Sequence, residues 1–476
     1  MDSVNSEQQQ HDEVGADPGT LEGSKLQERG DHHVGVRLAA PRPLAKLFGW
    51  WVSIAAFYLA LVHLHDLRGS PRCSIIILLG AGFVYALACL WLHRRWSGFS
   101  ARTTQILVIA IVVGAIGFRV ILLAVPPSLS DDIYRYRWDG RVQAAALNPY
   151  TEPPASPELA ALRDPLWLRI NYPAIRTIYG PLAQWLFRLT YQLDPRLIGF
   201  QAMATLGDLL CIGLLFGCLR RWRLPEWRIA LYAWSPLATI ESASNGHFDS
   251  WPTAALMLGV LASIGGRTLL STLALSAGVL FKTWPLVWLP LTLAKRPPWH
   301  IVLVAGTVFA GYLPFSGARF GLLQPWLDYA SRWRFNDAGF FILRSVTGSE
   351  PLAKAIAAAL GIWAMCTFWR RGTDSVRASY WLLLLAIFLL PTIHPWYLLW
   401  PLPLAAAALD TGWITLTTLA PLSYWILVGA GPDSSTWAEP DWVRFAIWVP
   451  AFAMWAWQTR KYGAAAPPTT PDHPTA

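Results

Sequence analysis

The chain has 476 residues, 54% of them hydrophobic and 14% charged, with a formal net charge of +9 and a mean hydropathy of +0.36. Soluble domains carry about 25% charged residues, whereas apolar residues here arrive in long runs such as 106–125 and 197–219, close to the roughly 20 residues that cross a hydrocarbon core. A soluble enzyme, a collagen, a disulfide scaffold and a disordered regulator are excluded, and the chain is placed in a lipid bilayer.

Residues 1–43 are polar, without apolar periodicity, and read as a disordered cytoplasmic tail; they are too polar for a signal peptide. Residues 44–460 are expected to form an all-α, polytopic transmembrane helix bundle of about 12–14 membrane segments. The segments begin near Leu47, Ser74, Gln105, Leu197, Arg228, Ser250, Thr268, Thr283, His300, Ala355, Ala378, Trp396, Thr411 and Trp442. Those on either side of Lys282 are too short to cross unaided. Residues 461–476, rich in Pro, Thr and Ala towards the end, read as a second tail.

The basic residues cluster between the apolar runs, at Arg94–Arg95, Arg220–Arg228, Lys295–Arg296, Arg370–Arg377 and Arg460–Lys461. One orientation puts every cluster, and both termini, on the cytoplasmic side, which explains the positive charge without nucleic acid. It requires residues 181–193 to lie at the interface rather than cross. The 28 tryptophans crowd the run ends as interfacial belts do. The five cysteines lie in or beside apolar segments with no CxxC pair, so neither a disulfide framework nor a cysteine metal site is indicated.

Two long loops then fall outside, 126–196 and 316–354, and loops of that length in a compact bundle usually carry function. The first holds three carboxylates, three arginines and three aromatic residues within the twelve positions from Ser130 to Arg141. On a helix, Asp132, Arg135, Tyr136 and Asp139 share a face. Asp131 or Asp132 suits general-base work on a hydroxyl, and arginines such as Arg135 and Arg141 suit a phosphate or sugar. The same pattern also fits a helix cap followed by a solvated salt-bridge ladder.

Lys282 is the only charge between Arg267 and Lys295. A cation at membrane depth costs roughly 2.5–3.5 kcal/mol on insertion scales, which marks it for function, here the phosphate head of a lipid; the alternative is a lysine snorkelling to the interface. His247 and Asp249 occupy another outer turn and could meet a metal, a sugar or the lipid head, although Asp249 also suits a helix cap. His394, in His-Pro-Trp-Tyr, could donate to a phosphate or merely accompany a proline break. Arg319, Arg332 and Arg334 place positive charge on the side that should lack it. There is no P-loop, GxGxxG, HExxH or GxSxG.

The run from Ser130 to Tyr150, a version of S-D-D-x-Y-R-Y-x-W-D-G-R followed by N-P-Y, resembles the first outer loop of bacterial GT-C glycosyltransferases of the mannosyltransferase or family 87 type. Tyr179-Gly180-Pro181, Gly246-His247-Phe248-Asp249, Lys282-Thr283-Trp284-Pro285 and His394-Pro395-Trp396-Tyr397 resemble later blocks in the same order, with Gly180 where a second proline is common. The resemblance implies a polyprenyl-phosphate hexose donor, most plausibly mannose, a glycolipid or glycan acceptor, and a catalytic base at Asp132 or Asp131. It places the active site at the outer face. Lys282, Arg135, Arg319, Arg332, Arg334 and His394 are the donor-phosphate candidates, and Tyr136, Asp139, Arg141, Tyr150, Tyr179, His247 and Asp249 the substrate-binding ones. No cofactor is expected, and a divalent metal is not indicated. The rival readings are a transporter or flippase of a lipid-linked glycan, disfavoured by the lack of duplicated halves, and a non-catalytic envelope scaffold.

Overall fold

Helix starts in the bundle are written by local chemistry. Pro71 opens α2 (Pro71–Arg95) at a position where a missing N–H costs nothing. The Ser100 hydroxyl caps α3 (Ala101–Leu122) by accepting from Thr103 N at 3.2 Å. The computed structural model describes residues 42–322, 334–428 and 439–470, with the side chains of 319–322 left aside. Among the described residues the regular structure is helical, apart from a single bridge between Phe335 and Thr392.

Six helices are long and apolar enough to cross a membrane: Arg42–Leu64 (α1), Pro71–Gly98, Ala101–Leu122, Leu197–Arg221 (α6), Trp299–Ala318 and Glu350–Arg370 (α14). Ile76, Phe83, Ile109, Val113 and Val120 stand exposed on α2 and α3, and little of Trp299–Ala318 or α14 is buried in protein. Acyl chains cover such surfaces in a bilayer, and the protein is an all-α polytopic membrane protein.

The remaining segments are short or broken, which is where the structure departs from an even row of 12–14 crossings. The run expected near Arg228 divides into α7 (Ile229–Ala233), α8 (Pro236–Thr239) and a π-turn, Ile240–Ser244. α9 (Ser250–Ile264), α10 (Thr268–Phe281) and α15 (Ser375–Leu389) are 14 or 15 residues long, too short to cross upright. After Lys282 the chain resumes as a 3₁₀ turn, Trp284–Trp288, and a stub, α11 (Leu289–Leu293). α12 (Trp299–Tyr312) follows, then α13 (Gly339–Thr347) within the second long loop. α16 (Leu402–Ala408), α17 (Thr411–Leu419) and α18 (Asp441–Tyr462) complete the chain.

Two boundaries move. α1 begins at Arg42, inside the segment read as a tail. α18 continues to Tyr462, and Thr470 beyond it donates through N (3.0 Å) and Oγ1 (2.5 Å) to Asp374 Oδ2, so part of the second tail is tied to the bundle.

The apolar runs of α3 and α6 hide an ion pair. Arg119 Nε donates to Asp208 Oδ2, and both residues are almost wholly inaccessible. The same guanidinium donates through Nη1 to Ala115 O at 3.0 Å and Ala233 O at 2.7 Å. The break between α7 and α8 denies Ala233 its helical partner, and Arg119 supplies the missing donor.

The first long loop, 126–196, folds down onto this frame. Its helices α4 (Asp132–Ala144) and α5 (Pro181–Leu193) pack on each other and on α6, α5 burying Ala183, Gln184, Phe187 and Thr190. Gly180 is the hinge of that docking: its N–H donates to Phe281 O at 3.2 Å, and a Cβ there would stand 2.2 Å from Leu280 O. A side chain at this position would push the loop off the turn that carries Lys282.

Candidate active site

The N-terminus of α4 presents two adjacent carboxylates in different settings. Asp131 is held by arginines, Arg68 Nη2 at 2.9 Å and Arg169 Nη2 at 3.5 Å. Asp132 receives a neutral donor, Asn171 Nδ2, on Oδ1 at 3.0 Å. Its Oδ2 accepts no hydrogen bond from any described residue and faces His247 Nε2 at 3.9 Å, and its side chain is 19% exposed. The two aspartates are thereby separated: one is neutralised, the other keeps an open oxygen.

His247 is fully buried behind Asp132 and fixed on every side. Gly246 precedes it at φ +71°, a left-handed turn that glycine adopts without strain, and a Cβ at that glycine would meet the Ile133 side chain at 2.5 Å. The imidazole Nε2 lies 3.2 Å from Ser130 Oγ, and Nδ1 lies 2.8 Å from Glu241 Oε2. Glu241 sits in the π-turn, an element that often marks functional positions. It is itself buried, accepting from Tyr424 OH and from Asn245 Nδ2 (3.0 Å). The His247 ring stacks on Trp396 at 3.8 Å, and His394 stacks on the same indole at 4.4 Å. Burial, and then the neighbouring Lys282 and His247, push the His394 imidazole down to about 3, so it is a neutral ring at physiological pH.

Lys282 stands next to this cluster. Extended backbone at its position breaks the helical run. Its ammonium donates to Asp249 Oδ1 at 2.7 Å, an oxygen that also accepts from Trp400 Nε1 at 2.7 Å. The rings of Tyr397, Trp400 and Phe248 lie 4.8, 5.3 and 5.5 Å from Nζ. Asp249 is completely buried and its Oδ2 has no hydrogen-bond partner. Lys282 is therefore half of a buried ion pair in an aromatic box and does not snorkel to the interface.

Other expected site residues serve the loop's own architecture. Arg135 donates to Asp139 Oδ1 (2.9 Å) and Ile175 O (2.8 Å), and Gln184 Nε2 holds the other oxygen of Asp139 at 2.9 Å. Tyr136 is enclosed by Tyr179, Phe187 and Phe248 at ring distances of 4.8–5.2 Å. Tyr150 OH donates to Tyr179 O at 2.6 Å. Burial raises the phenols of Tyr136, Tyr150 and Tyr179 well above their usual range. Arg141 and Arg137 share Asp164. In the second loop Arg334 pairs with Glu350 at 3.2 Å, while Phe335 beside it stacks on His394 at 5.3 Å; Arg332 and the Arg319 side chain lie outside the described residues. No group of three or more His, Cys, Asp or Glu suited to a metal occurs among the described residues.

Glu241, Asn171 and Tyr424 were not singled out in the sequence. Glu241 carried a usable signal, being the only acidic residue between Glu226 and Asp249.

Comparison with known proteins follows the same outline. Residues 47–295 match the family model of the alpha-(1->6)-mannopyranosyltransferase N-terminal domain, and residues 342–460 match that of the MptB C-terminal domain. Alpha-(1->6)-mannopyranosyltransferase A of Mycobacterium tuberculosis is 26% identical over 459 residues, a match covering 83% of each chain. No solved structure matches the chain. The first family match spans more than half of the sequence and contains Asp131, Asp132, Glu241, His247 and Lys282, and the chain belongs to the alpha-(1->6)-mannopyranosyltransferase family of membrane mannosyltransferases.

Proposed function

We propose that the protein transfers mannose from a polyprenyl-phosphate donor to a hydroxyl of a glycan or glycolipid at the outer membrane surface, on a GT-C-like bundle, with Asp132 as general base. The observation that carries this reading is the asymmetry of the acidic pair: Asp131 is spent on Arg68 and Arg169, while Asp132 keeps Oδ2 open at the rim of a buried histidine cluster. The basic clusters at the opposite helix ends favour the outer face for this site.

The acceptor oxygen attacks the anomeric carbon as its proton passes to Asp132 Oδ2. The bond from that carbon to the phosphate oxygen breaks, and the electron pair leaves with the polyprenyl phosphate. One displacement inverts the centre, so an α-linked product, as in the relative's name, needs a β-linked sugar phosphate. Lys282 has N–H groups beyond the one given to Asp249, and fixed positive charge beside a departing phosphate is the electrostatic help such a reaction needs. Arg334 is a further candidate for that role; Arg319 and Arg332 stay candidates on the sequence alone. His247, braced by Glu241, acts as a positioning residue for Asp132. Arg135, Tyr136, Asp139, Arg141, Tyr150 and Tyr179 keep the first loop in shape over the site.

The test is turnover of purified protein with labelled polyprenyl-phosphate mannose and a mannoside acceptor. Asp132→Asn should lose about 10²–10⁴-fold, the range for a general base, while Asp131→Asn keeps more activity. Near-normal turnover in Asp132→Asn removes the base assignment. Equal use of a nucleotide-linked mannose removes the donor assignment.

A further inference from the structure

The end of the bundle away from Asp132 carries a concave feature. α6 starts beside the proposed site, where Gln201 Nε2 donates to Val125 O at 2.9 Å. It runs 25 residues to Arg221, which puts its far end roughly 35 Å away. There a cavity of about 580 Å³ opens between the C-terminus of α2 and the turn after α6. His93 and Trp96 line one side, and Arg220, Arg223, Trp227 and Arg228 the other. The chain reverses at Arg223, φ +54°, which brings arginines from both sides of the turn to one hollow.

Three guanidinium groups thus line the hollow with one carboxylate, Glu226, which forms an ion pair with Arg220 Nε at 3.7 Å and leaves a positive excess. Arg228 gives Nη1 to Ala407 O, yet its Nε is buried with no partner. The charge rule for membrane topology calls for arginines at this end. It does not call for a cavity lined by them.

We propose that this cavity binds the phosphate of an anionic phospholipid headgroup, from the leaflet opposite the sugar-transfer site. Basic pockets between membrane helices on the cytoplasmic side suit such heads, and guanidinium forks match phosphate oxygens in pairs. Trp96 and Trp227 place the hollow at the depth where indoles meet headgroups. The volume is ample for a headgroup and generous for a bare phosphate.

The experiment is native mass spectrometry of the full chain released from phosphatidylcholine nanodiscs containing a minority of phosphatidylglycerol. The wild type should retain phosphatidylglycerol selectively. Arg220→Gln/Arg223→Gln should weaken that retention by at least about thirty-fold, the loss of two charge-assisted contacts to one phosphate, and the double lysine variant should recover only part of it, because an ammonium lacks the paired fork. Both arginines are exposed, so their replacement leaves the fold intact. Arg370→Gln/Arg371→Gln removes the same charge from another exposed basic cluster and should change nothing. Equal loss in the two glutamine doubles would mean diffuse attraction and overturn the proposal, as would no selectivity in the wild type. Displacement of the lipid by inorganic phosphate at comparable concentration would make this a soluble-phosphate site and overturn it as well.

Discussion

Asp208 and Asp132 belong to adjoining parts of the bundle and are treated in opposite ways. Asp208 lies within α6, fully buried, bound by the Arg119 guanidinium, with its other oxygen sealed from any partner. Asp132 stands at the rim, tied by an uncharged amide on one oxygen and open on the other. A carboxylate closed by a cation in a low-dielectric interior is unreachable by a substrate, and its work is to hold helices together. A carboxylate with a neutral donor and a route to solvent keeps an oxygen within reach of a substrate hydroxyl. Charge at membrane depth marks importance in both cases, and only the partner and the exposure separate structure from chemistry.

The contrast breaks most visibly by neutralising each residue. Asp132→Asn should cost about 10²–10⁴-fold in turnover with stability unchanged to within ~0.5 kcal/mol. Asp208→Asn should do the reverse in origin, losing about 3–5 kcal/mol of stability because Arg119 is left buried and unpaired. Thermal melts in detergent read this directly. Arg119→Met/Asp208→Leu should recover more than half of the loss, since an apolar pair replaces a buried ion pair at little cost. A stable but inactive Asp208→Asn would place that pair in the chemistry and collapse the distinction.

Lys282 sharpens the comparison because it belongs to both classes. The sequence treats it as a lone cation whose removal would ease membrane insertion. Its pairing with Asp249 reverses that expectation: Lys282→Met leaves a buried carboxylate with only Trp400 as donor, at a cost of about 3 kcal/mol. Lys282→Met/Asp249→Leu should restore stability, which allows donor binding to be titrated in a folded protein. Binding weaker by about 1.5–3 kcal/mol supports the phosphate role, and wild-type affinity in that double variant would leave Lys282 as Asp249's partner and nothing more.

Glu439 is the intermediate case, a carboxylate buried with a backbone donor, Asn336 N at 2.7 Å, and with Arg444 acting on it through charge alone, without an ion pair among the described residues. Burial pushes its carboxyl from 4.5 up to about 7. The folded chain therefore holds this proton more tightly than the unfolded one. The stability it contributes is complete below about pH 4.5 and is lost as pH rises through 7, up to ~3 kcal/mol in all. Hydrogen exchange around Asn336, corrected for intrinsic rate, should quicken between pH 5 and pH 8 in the wild type and stay level in Glu439→Gln. A wild type as flat as the variant would mean that the carboxyl is already ionised at pH 5.

Much of this was readable beforehand, and what was not has a physical pattern. Apolar runs and basic clusters gave the helical bundle, and the i to i+4 spacing of Arg135 and Asp139 gave their pairing, though as a brace for the loop instead of a phosphate clamp. The lone-charge argument that found Lys282 applies equally to Arg119, Asp208 and Glu241, each isolated in an apolar stretch; long hydrophobic runs masked them. Asn171 and Tyr424 had no such signal. They reach Asp132 and Glu241 across 39 and 183 residues of chain, and only the folded bundle brings them there.

The smallest effect belongs to the brace behind the open carboxylate. Glu241 touches no substrate in the proposed reaction. Its Oε2 lies 2.8 Å from His247 Nδ1, a close polar contact without hydrogen-bond alignment, while Nε2 is directed towards Ser130 and Asp132. Glu241→Gln keeps the volume and an acceptor for Tyr424, but it places an amide where the imidazole and Asn245 both approach a carboxylate oxygen. The ring should lose its single orientation, and Asp132 should lose a fixed neighbour. Turnover should fall by about tenfold, the loss of roughly 1.4 kcal/mol of positioning, with KM for the donor little changed. A general loss of folding would also lower turnover, so the decisive measurement is a double-mutant cycle. If Glu241 acts only through the histidine, His247→Gln/Glu241→Gln should be no slower than the worse single variant, because residues that act as a unit are lost once. Additive losses would mean that Glu241 supports the site by another route, and the line from Asp132 through His247 to Glu241 would then be two contacts rather than one device.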